Sequence, residues 1–368
     1  MEYRNLPRGG ENEKISVIGL GMGYIHNSSP EELEAVVRKA IAHGINFFDI
    51  CGERTWIYEP FGRAIRDCRE KVFFQMHFGA SYNEKGEYAW TTDVEKMKET
   101  FEWQMKQLKT DYIDYGFVHC LDTVEDFEKV VAGGLLEYLQ ELKAAGRVRH
   151  LAFSTHTPAV AERILDTGLM DMMMFSVNPI CDYDDGRDMY CIGSFSERAS
   201  LMNRCQREGV GISVMKPFHG GKLLEAASSP FGEALTHYQC MQYALDRPGV
   251  LTVLPGVRNL AELDQLLGFC EAPASEKDYS VIAGFTAEKV TGQCVYCSHC
   301  QPCPAGIDIA LVNKYYDLAQ TGDKIAAGHY GKLTVNANAC LQCGHCDRRC
   351  PFGVAQGAKM KEIAAYFG

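Results

Sequence analysis

The chain has 368 residues, of which 46% are hydrophobic and 23% are charged, and its net charge at pH 7 is −11. This length accommodates one large domain and a small second one, and the hydrophobic fraction supports a sizeable core. The negative charge argues against nucleic acid or an anionic membrane as a partner. The polar N-terminus shows no apolar leader, and no apolar stretch approaches the length of a membrane span, so we expect a cytoplasmic protein.

Short apolar runs alternate with amphipathic segments between residue 15 and about residue 270. The eight predicted strands are residues 15–21, 46–51, 72–77, 112–119, 150–155, 172–178, 211–217 and 250–257. Because helical patterns separate these strands, the sequence predicts an α/β fold with a (β/α)8 TIM barrel over residues 1–272. In such barrels the chemistry sits at the C-terminal ends of the strands.

Helical patterns cover residues 30–43, 92–109 and 127–145, with Ser29 as a predicted N-cap and Gly146 as a predicted stop. A polar stretch near residues 272–280 indicates a linker. Residues 273–368 are predicted to comprise this linker and a small second domain, with helices at 307–320 and 354–367. The sequence therefore predicts two domains.

Eight of the sixteen cysteines stand in two runs near the C-terminus. The first run ends immediately before Pro304, and the second ends immediately before Pro351. Bacterial ferredoxins use this kind of spacing for two [4Fe–4S] clusters, each held by three closely spaced thiolates and one thiolate from the other run. The predicted ligand sets are Cys294, Cys297, Cys300 and Cys350 for one cluster, and Cys340, Cys343, Cys346 and Cys303 for the other.

Paired zinc sites and disulfides are the competing interpretations of these runs, but two triplets with two Cys-Pro ends fit zinc poorly. One departure from ferredoxin spacing is present, because the first run has two residues instead of three before its last cysteine. We therefore predict a bacterial-ferredoxin-like dicluster domain that moves electrons. His299 and His345 lie within the runs and are predicted to modulate the cluster potential through hydrogen bonds.

The other eight cysteines show no framework spacing, and we expect most of them to be free thiols in a reducing compartment. They are Cys51, Cys68, Cys120, Cys181, Cys191, Cys205, Cys240 and Cys270. Cys120 and Cys181 fall near predicted strand ends, as does His156. A metal site there is the alternative to ordinary structural roles, which the lack of ligand spacing favours.

Several segments carry a family resemblance. MEYRNLPRGGENEKISVIGLG, GINFFDI, DYIDYGFVH, VRHLAFSTHTP, GISVMKPFHGGKLL and TVLPGVRN follow one another in the order seen in aldo/keto reductases. The chain resembles the branch of that family that is fused to a C-terminal dicluster ferredoxin segment. The resemblance implies a (β/α)8 barrel that binds NADP(H) without a Rossmann unit and reduces carbonyls by hydride transfer. The lack of a G-x-G-x-x-G fingerprint after any strand agrees with this expectation.

The catalytic group of that family is an Asp, a Tyr, a Lys and a His, in which the Tyr donates a proton to the carbonyl oxygen. The resemblance assigns the aspartate to Asp49 and the histidine to His119. Arg54 stands at the tyrosine position and His77 at the lysine position, so two of the four residue types are changed. Asp49, Arg54, His77 and His119 are therefore the candidate catalytic residues of an altered site.

We expect these four side chains to converge at the barrel mouth. An arginine fork binds carboxylates well, and a histidine titrates near neutral pH. Our hypothesis is that Arg54 anchors an anionic group of a substrate or cofactor, while His77 or His119 moves protons. The alternative is that the aspartate and this arginine form a structural ion pair. Tyr24 and Tyr58 are candidates to replace the missing phenol.

The cofactor site keeps the family pattern better on its phosphate side. Loops after the seventh and eighth strands supply glycines and positive charge at helix N-termini, where such barrels bind phosphate. On the nicotinamide side Ser154 is kept, whereas Thr155, Met174 and Met215 replace the usual Asn, Gln and aromatic residue. The predicted cofactor-binding residues, for NADP(H) or a flavin, are Ser154, Asn178, Lys216, Pro217, Gly220, Gly221, Lys222, Gly256 and Arg258. Ordinary βα turns are the alternative interpretation.

Three functions fit the sequence. The first is an iron–sulfur oxidoreductase that passes electrons between a ferredoxin or flavodoxin partner and a small-molecule substrate at the barrel mouth. The second is an NADP(H)-dependent carbonyl reductase whose clusters are structural. The third is a non-catalytic electron carrier or redox sensor. The changed catalytic group favours the first, and the sequence leaves the substrate, the direction of the reaction and the oligomeric state open.

Overall fold

The computed structural model of the protein describes residues 1–8, 13–183, 191–284, 292, 294, 300–320, 327–328, 330–350 and 352–368. The chain divides into two compact units. The first unit combines Met1–Leu224 with Thr236–Lys277, and the second combines Glu225–Leu235 with Asp278–Gly368. Residues 225–235 therefore group with the C-terminal unit, whereas the sequence predicted a division at a single boundary.

An antiparallel hairpin of β1 (Tyr3–Asn5) and β2 (Lys14–Ser16) precedes the barrel. Eight parallel strands then form one sheet in the order in which they occur along the chain. They are β3 (Leu20–Gly21), β4 (Phe47–Asp49), β5 (Phe73–Phe78), β8 (Ile113–Val118), β9 (Val148–Ser154), β10 (Met172–Ser176), β11 (Gly211–Met215) and β12 (Val250–Val253). Parallel bridges from Ile18 to Val253 and from Gly21 to Gly256 close the sheet, which confirms the predicted barrel.

The first predicted strand, residues 15–21, is split between the hairpin and the barrel. The hydroxyl of Ser16 donates a hydrogen bond to the carbonyl of Ile18 over 2.7 Å, which diverts the chain between the two parts. A Cβ atom at Gly19 would lie 2.7 Å from the carbonyl oxygen of Phe47, so the chain passes β4 more closely than a side chain allows. The apolar run predicted one strand because its composition does not register this turn.

Eleven helices are described in the first unit. They are α1 (Pro30–Ala42), α2 (Tyr58–Ile65), α3 (Val94–Leu108), α4 (Val124–Ala132), α5 (Leu135–Ala144), α6 (Pro158–Leu165), α7 (Pro179–Tyr183), α8 (Phe195–Glu208), α9 (His237–Leu245), α10 (Leu260–Leu267) and α11 (Ala274–Lys277). Ser29 caps α1 as predicted, with its hydroxyl accepting from the amide of Glu32 at 3.1 Å. The predicted linker at 272–280 contains α11.

The single helix predicted over residues 127–145 is wrong. Two helices, α4 and α5, occupy this region and meet at Gly133 and Gly134. Gly134 has a φ of 81°, a left-handed conformation that glycine adopts without steric cost. The amphipathic period continues across the break, and the glycine pair is the signal that ends one helix before the other begins.

A second hairpin follows β5 and lies at the C-terminal end of the barrel strands. Its strands β6 (Ala80–Tyr82) and β7 (Tyr88–Trp90) pair antiparallel, with Tyr82 opposite Tyr88. The sequence did not predict this hairpin. Hydrogen bonds from the amide of Thr55 to the carbonyl of Gly86 (3.1 Å) and from the amide of Tyr88 to the carbonyl of Glu53 (3.0 Å) fasten it to the loop after β4.

The C-terminal unit contains α12 (Ile309–Gln320), α13 (His345–Arg349) and α14 (Gln356–Phe367), and the helices predicted at 307–320 and 354–367 are confirmed. The Asn313 amide donates to Gln356 Oε1 at 2.9 Å, joining α12 to α14. Tyr330 stacks on Phe367 with ring centroids 3.9 Å apart. Nowhere in the described part of the chain is a helix both long and apolar enough to cross a bilayer.

Candidate functional site

A chain of hydrogen bonds links three buried side chains at the C-terminal ends of neighbouring strands. Asp49 ends β4, His77 lies in β5, and His119 follows β8 directly. His77 Nε2 lies 2.8 Å from Asp49 Oδ1, and His77 Nδ1 lies 2.9 Å from His119 Nδ1. Parallel strands in register bring their last side chains to one edge, which is how residues far apart in sequence meet here.

A fourth residue, Tyr88 on β7, completes this chain. Its hydroxyl oxygen lies 2.7 Å from His119 Nε2. Trp90, two residues further along the same strand, donates from its indole nitrogen to the His119 carbonyl at 3.3 Å. Sequence reasoning missed Tyr88; the available signal was the unusually long segment between β5 and α3, since long βα loops carry functional residues in barrels.

Arg54 lies apart from this chain of hydrogen bonds. Its guanidinium pairs with Glu87 Oε1 at 2.8 Å, and the two side chains are 44% and 42% exposed. The structure therefore pairs Asp49 with His77 and Arg54 with Glu87, which overturns the alternative of an Asp49–Arg54 ion pair. Glu87 precedes Tyr88, so Arg54 helps to hold the hairpin that carries this tyrosine.

The two tyrosines proposed from sequence lie elsewhere. Tyr58 is fully buried, and its hydroxyl lies 2.6 Å from that of Tyr82 and accepts from Gln104 at 2.8 Å. Burial raises the pKa of the Tyr58 phenol well above its usual value. Tyr24 is 56% exposed and packs at Gly256. Tyr58 is thus a structural residue, and Tyr24 faces the cofactor cavity described below.

Two thiols border the histidines. The sulfur of Cys51 and one ring nitrogen each of His77 and His119 lie within 4.8 Å of one another, a grouping that could hold a metal ion. Burial raises the pKa of the Cys51 thiol well above its usual value, and burial raises that of Cys120 to about 11. Both imidazoles are engaged in hydrogen bonds, so we interpret the grouping as a polar relay.

A second polar group lies beside the first. Lys216 Nζ lies 2.7 Å from His156 Nε2, and His156 Nδ1 lies 2.9 Å from Asp122 Oδ2. Burial works against ionisation of Asp122, but the hydrogen bond and charge of His156 prevail and lower its pKa. The arrangement keeps a positive group at the end of β11, next to the cavity in which a cofactor is expected.

Ser154 and Asn178 bind the backbone of neighbouring strand ends. Ser154 Oγ accepts from the amide of Cys120 at 2.8 Å. The Asn178 amide donates to the carbonyl of Lys216 at 2.9 Å, and its oxygen accepts from the amide of Cys181 at 3.1 Å. These contacts fix the rim of the barrel; the predicted role of the two residues in cofactor binding stays a prediction.

A cavity of about 600 Å³ opens between the loops after β11 and β12. The predicted cofactor residues that line it are Lys216, Pro217, Gly220, Gly221, Gly256 and Arg258. Lys222 is exposed. Glu262 also lines the cavity, and its Oε1 accepts from Arg258 Nε at 2.7 Å. The cavity has the size of a small-molecule site, and Arg258, one of the two cationic residues that line it with Lys216, is paired with a carboxylate.

Cys181 and Cys191 are joined by a disulfide, and this pair is the exception among the eight scattered cysteines, most of which were expected to be free thiols. Both cysteines are fully buried, and Cys191 Sγ lies 3.8 Å from His219 Nδ1. Cys51, Cys68, Cys120, Cys205, Cys240 and Cys270 are free, as expected. Ten residues of sequence separate the bonded cysteines, and spacing alone gave no signal for them.

Cysteines from both C-terminal runs meet in the second unit. Cys303 from the first run and Cys340, Cys343 and Cys346 from the second line one cavity. Cys346 and Cys300 are buried in the apolar core of this unit, and Cys294 is buried as well. Cys297, His299 and Pro351 lie outside the described residues. Four thiols around one cavity are the donor set that a [4Fe–4S] cluster requires, so the residues present fit such a group.

The barrel and its site define the class of protein. The aldo/keto reductase family profile matches residues 17–237, which is more than half of the chain. The chain therefore belongs to the aldo/keto reductase family, a family of oxidoreductases. The matched region ends before the two cysteine runs.

Individual relatives are distant. The chain is 27% identical over 165 residues to the uncharacterized oxidoreductase YqkF of Bacillus subtilis, a match that spans 44% of this chain and only about half (52%) of YqkF. It is 23% identical over 265 residues to the protein tas of Escherichia coli, covering 65% and 71% of the two chains.

Solved structures share the fold. The holo form of aldo-keto reductase AKR11C1 from Bacillus halodurans superposes with a TM-score of 0.62 at 20% identity, covering 77% of this chain and 95% of that one. An aldo-keto reductase from Klebsiella pneumoniae in complex with NADPH gives a TM-score of 0.53 at 17% identity, covering 74% and 91%. At these identities the likenesses concern the fold alone.

Proposed function

We propose that this protein is an iron–sulfur oxidoreductase that moves electrons between two [4Fe–4S] clusters and a small-molecule substrate at the barrel mouth. The observation that carries the proposal is the cavity lined by Cys303, Cys340, Cys343 and Cys346. One of the two predicted ligand sets consists of these four residues. Such clusters transfer single electrons at potentials set by charge, hydrogen bonds and exposure.

The surroundings of this cavity are suited to an anionic cluster. Gln342 donates from its amide to Cys340 Sγ at 3.2 Å and to the carbonyl of Gly357 at 2.9 Å. Hydrogen bonds to cluster sulfurs raise the reduction potential. The first cluster would be held by Cys294, Cys297, Cys300 and Cys350, of which Cys297 lies outside the described residues.

The barrel mouth supplies proton chemistry for the substrate. Asp49, His77, His119 and Tyr88 form one connected chain of hydrogen bonds from a buried carboxylate to a partly exposed phenol. Reduction of most organic groups consumes protons, so a site with a donor chain is suited to it. In this proposal NADP(H) or a flavin occupies the cavity after β11 and β12, and a ferredoxin or flavodoxin exchanges electrons with the clusters in the cytoplasm.

A second candidate is an NADP(H)-dependent carbonyl reductase whose clusters are structural. The cavity of about 600 Å³ favours it, because six of the predicted cofactor residues line that cavity. A structure in the same fold is described as a complex with NADPH. The two candidates differ in whether electrons pass through the clusters during turnover. The third function, a non-catalytic electron carrier or redox sensor, does not account for the hydrogen-bonded chain at the barrel mouth.

The test uses anaerobically purified full-length protein. We expect iron and acid-labile sulfide in amounts that fill two clusters, with a broad visible absorbance, and bleaching of this absorbance by NADPH or by reduced ferredoxin. Cys343→Ser should lower the iron content by about half, because it removes one thiolate from one ligand set. Cys270→Ser is the matched control, since Cys270 is also an exposed free cysteine but stands outside the runs.

The outcomes separate the candidates. Bleaching only by dithionite or reduced ferredoxin would indicate a protein electron donor. Substrate turnover with NADPH at constant cluster oxidation state would favour the second candidate. Full iron content in Cys343→Ser, or none in the wild-type protein, would contradict the cluster assignment.

A further inference from the structure

Directions can be given to the hydrogen bonds that join these four residues at the barrel mouth. His77 Nε2 has one further contact, the Gln75 side-chain amide nitrogen at 3.3 Å. A carboxylate can only accept hydrogen bonds, so the N–H at His77 Nε2 donates to Asp49. If His77 is neutral, its Nδ1 carries no proton and accepts a hydrogen bond from the N–H at His119 Nδ1. His119 Nε2 is then also an acceptor, and the Tyr88 hydroxyl donates to it. In this state each proton along the chain points inward.

One added proton reverses two of the three hydrogen bonds, while the bond from His77 to Asp49 keeps its direction. With His77 as an imidazolium paired with Asp49, its Nδ1 donates to His119 Nδ1. Neutral His119 then carries its proton on Nε2 and donates it to the Tyr88 oxygen. The Tyr88 hydroxyl proton is released from its inward bond and is free to point elsewhere. The same four residues therefore have an inward and an outward state that differ by a single proton.

We propose that Tyr88 is the proton donor of the barrel site and that His119, His77 and Asp49 are the relay that supplies it. The inference deepens the proposed function, on which it rests only in taking the barrel mouth as the place of reduction. Tyr88 is 39% exposed, so a substrate in the mouth can reach the phenol, whereas the other three residues are 8% exposed or less.

The transfer balances. The Tyr88 proton goes to an oxygen of the substrate that gains negative charge during reduction, the His119 Nε2 proton goes to the Tyr88 oxygen, and the His77 Nδ1 proton goes to His119 Nδ1. The relay loses one proton and returns to its inward state. With a hydride donor such as NADPH, one hydride to carbon completes the reduction of a carbonyl. With an iron–sulfur donor, two electrons and a second proton from water complete the same reaction.

Neighbouring groups place the stored proton at the buried end of the relay. Burial lowers the pKa of the His119 imidazole well below its usual value. The nearby basic groups His77, His156 and Lys216 act in the same direction. His119 therefore passes a proton on without holding charge. His77 is the imidazole that faces a carboxylate, with its Nε2 2.8 Å from Asp49 Oδ1.

The environment of Tyr88 keeps the phenol protonated until a substrate accepts the proton. Burial raises the pKa of Tyr88 well above its usual value. Phenols with a high pKa donate to strong bases only. A substrate oxygen becomes such a base as it acquires charge, which couples release of the proton to the reduction step.

The position that carries the family's tyrosine also has a role in this arrangement. Arg54 stands there and pairs with Glu87, the residue before Tyr88. The amide of Tyr88 donates to the carbonyl of Glu53 at 3.0 Å. The loop that would have carried the phenol therefore positions a hairpin that carries it instead, and Arg54 is a positioning residue.

The first test reads the relay without any substrate. Nitrogen NMR of imidazole-labelled protein distinguishes protonated from unprotonated ring nitrogens. We expect His119 to carry its proton on Nδ1 in the inward state at high pH and on Nε2 in the outward state at lower pH, while His119 itself stays neutral. Asp49→Asn should abolish this exchange of tautomers. A His119 that keeps one tautomer throughout the titration would overturn the relay.

The second test reads the donor. Tyr88→Phe should lower kcat by about a hundredfold to ten-thousandfold with little change in KM, because general acid catalysis contributes that much. The assay would use p-nitrobenzaldehyde as probe, with NADPH or reduced methyl viologen as donor. Tyr82→Phe is the matched control, since Tyr82 lies opposite Tyr88 on the same hairpin and stands outside the relay.

The imidazole spectra and the kcat of Tyr88→Phe test different parts of the proposal, and each can contradict it alone. Undiminished kcat in Tyr88→Phe would remove Tyr88 from the donor role even if the tautomers exchange as expected. A wild-type protein that reduces no carbonyl with either donor would count against the proposed function, and the imidazole spectra alone would then decide the relay. Loss of the tautomer exchange in Tyr82→Phe would show that the hairpin rather than the phenol controls the effect, which also overturns the proposal.

Discussion

The carboxylate of Glu262 offsets the positive charge that Arg258 brings to the cavity after β11 and β12. Arg258 was expected to contribute positive charge to the phosphate side of the cofactor site. In the structure Glu262 accepts from its Nε at 2.7 Å and from its backbone amide at 2.8 Å. Burial works against ionisation of Glu262, but the hydrogen bonds and charge of Arg258 prevail and lower its pKa. A phosphate entering this cavity meets a cation whose charge is already balanced.

With NADPH in the position proposed above, Glu262→Gln should therefore strengthen its binding. Removing the carboxylate frees the Arg258 guanidinium for a phosphate and removes one repulsive charge. Because Arg258 is largely exposed and solvent screens its charge, we expect a gain of only about threefold to tenfold in affinity. Fluorescence titration of the protein with NADPH measures the change.

Asp264→Asn is the control for this substitution. Asp264 lies on the same helix and is also paired with a cation, Lys39. Its substitution by Asn changes the net charge of the protein by the same amount as Glu262→Gln. Its removal should leave the affinity unchanged. Equal or weaker binding in Glu262→Gln would contradict the placement of the nucleotide phosphate beside Arg258.

Single residues also show where prediction from sequence succeeds and where it stops. The resemblance to the family singled out Asp49, His77 and His119 as candidates, and the placement of His77 and His119 at predicted strand ends agreed with it, because parallel strands of a barrel deliver such residues to one rim. Tyr88 was missed because it reaches the rim from a hairpin, and its partner His119 lies 31 residues away. The partner of Arg54 was misjudged for the same reason, since Glu87 belongs to that hairpin.

At the scale of elements, local signals placed most of the barrel. Ser29 and Pro30 mark the start of α1, and apolar runs mark the eight strands. The hairpin of β6 and β7 has no apolar run, since Tyr82, Tyr88 and Trp90 alternate with small or polar residues. Its pairing depends on contacts with the loop after β4, which no local pattern encodes.

The helix that follows this hairpin offers an element-scale prediction. Asp93 caps α3, with its Oδ1 accepting from the amides of Glu95 at 3.0 Å and Lys96 at 3.4 Å. Asp93→Ala leaves these amides without that acceptor, so the free energy of unfolding should fall by about 1 kcal/mol. Urea denaturation followed by circular dichroism measures it. Asp93→Asn should retain most of the stability, and equal stability of the Ala variant would show that the cap contributes little.

At the scale of the whole molecule, a network of buried charges lies at the N-terminal end of the barrel strands. His150 Nε2 lies 3.0 Å from Glu13 Oε2, and its Nδ1 lies 3.3 Å from Asp171 Oδ2. Burial opposes the charge on His150, but its hydrogen bonds to Asp171 and Glu13 prevail and raise its pKa. Burial likewise opposes ionisation of the two carboxylates, and the contacts with His150 help to lower the pKa of each.

These shifts predict how stability depends on pH. The contribution of His150 is fully present below its unfolded pKa of about 6.5 and is lost as the pH rises through the raised folded value. The contributions of Glu13 and Asp171 are present above their unfolded values of about 4 and are lost as the pH falls through the lowered folded values. The network should therefore stabilise the barrel most between about pH 4.5 and 6.5.

His150→Gln tests this dependence. The variant should lose more stability at about pH 6 than at about pH 9, because only the charged imidazole attracts both carboxylates. Urea denaturation at the two pH values gives the difference. His43→Gln is the control, since His43 is exposed on the surface after α1. An equal loss at both pH values would mean that packing rather than charge accounts for His150.

The short pairing between the first and last barrel strands is the place where the sheet is expected to open most readily. β3 has only two residues, and the ring is completed by bonds such as those from the amide of Gly19 to Val253 (2.9 Å) and from the amide of Gly21 to Pro255 (3.0 Å). A closed sheet opens first where its ladder is shortest. The cavity has Tyr24 on one side of this join and Gly256 on the other. A nucleotide in this cavity would contact residues on both sides of the join. Occupancy of the cavity would therefore slow opening of the barrel.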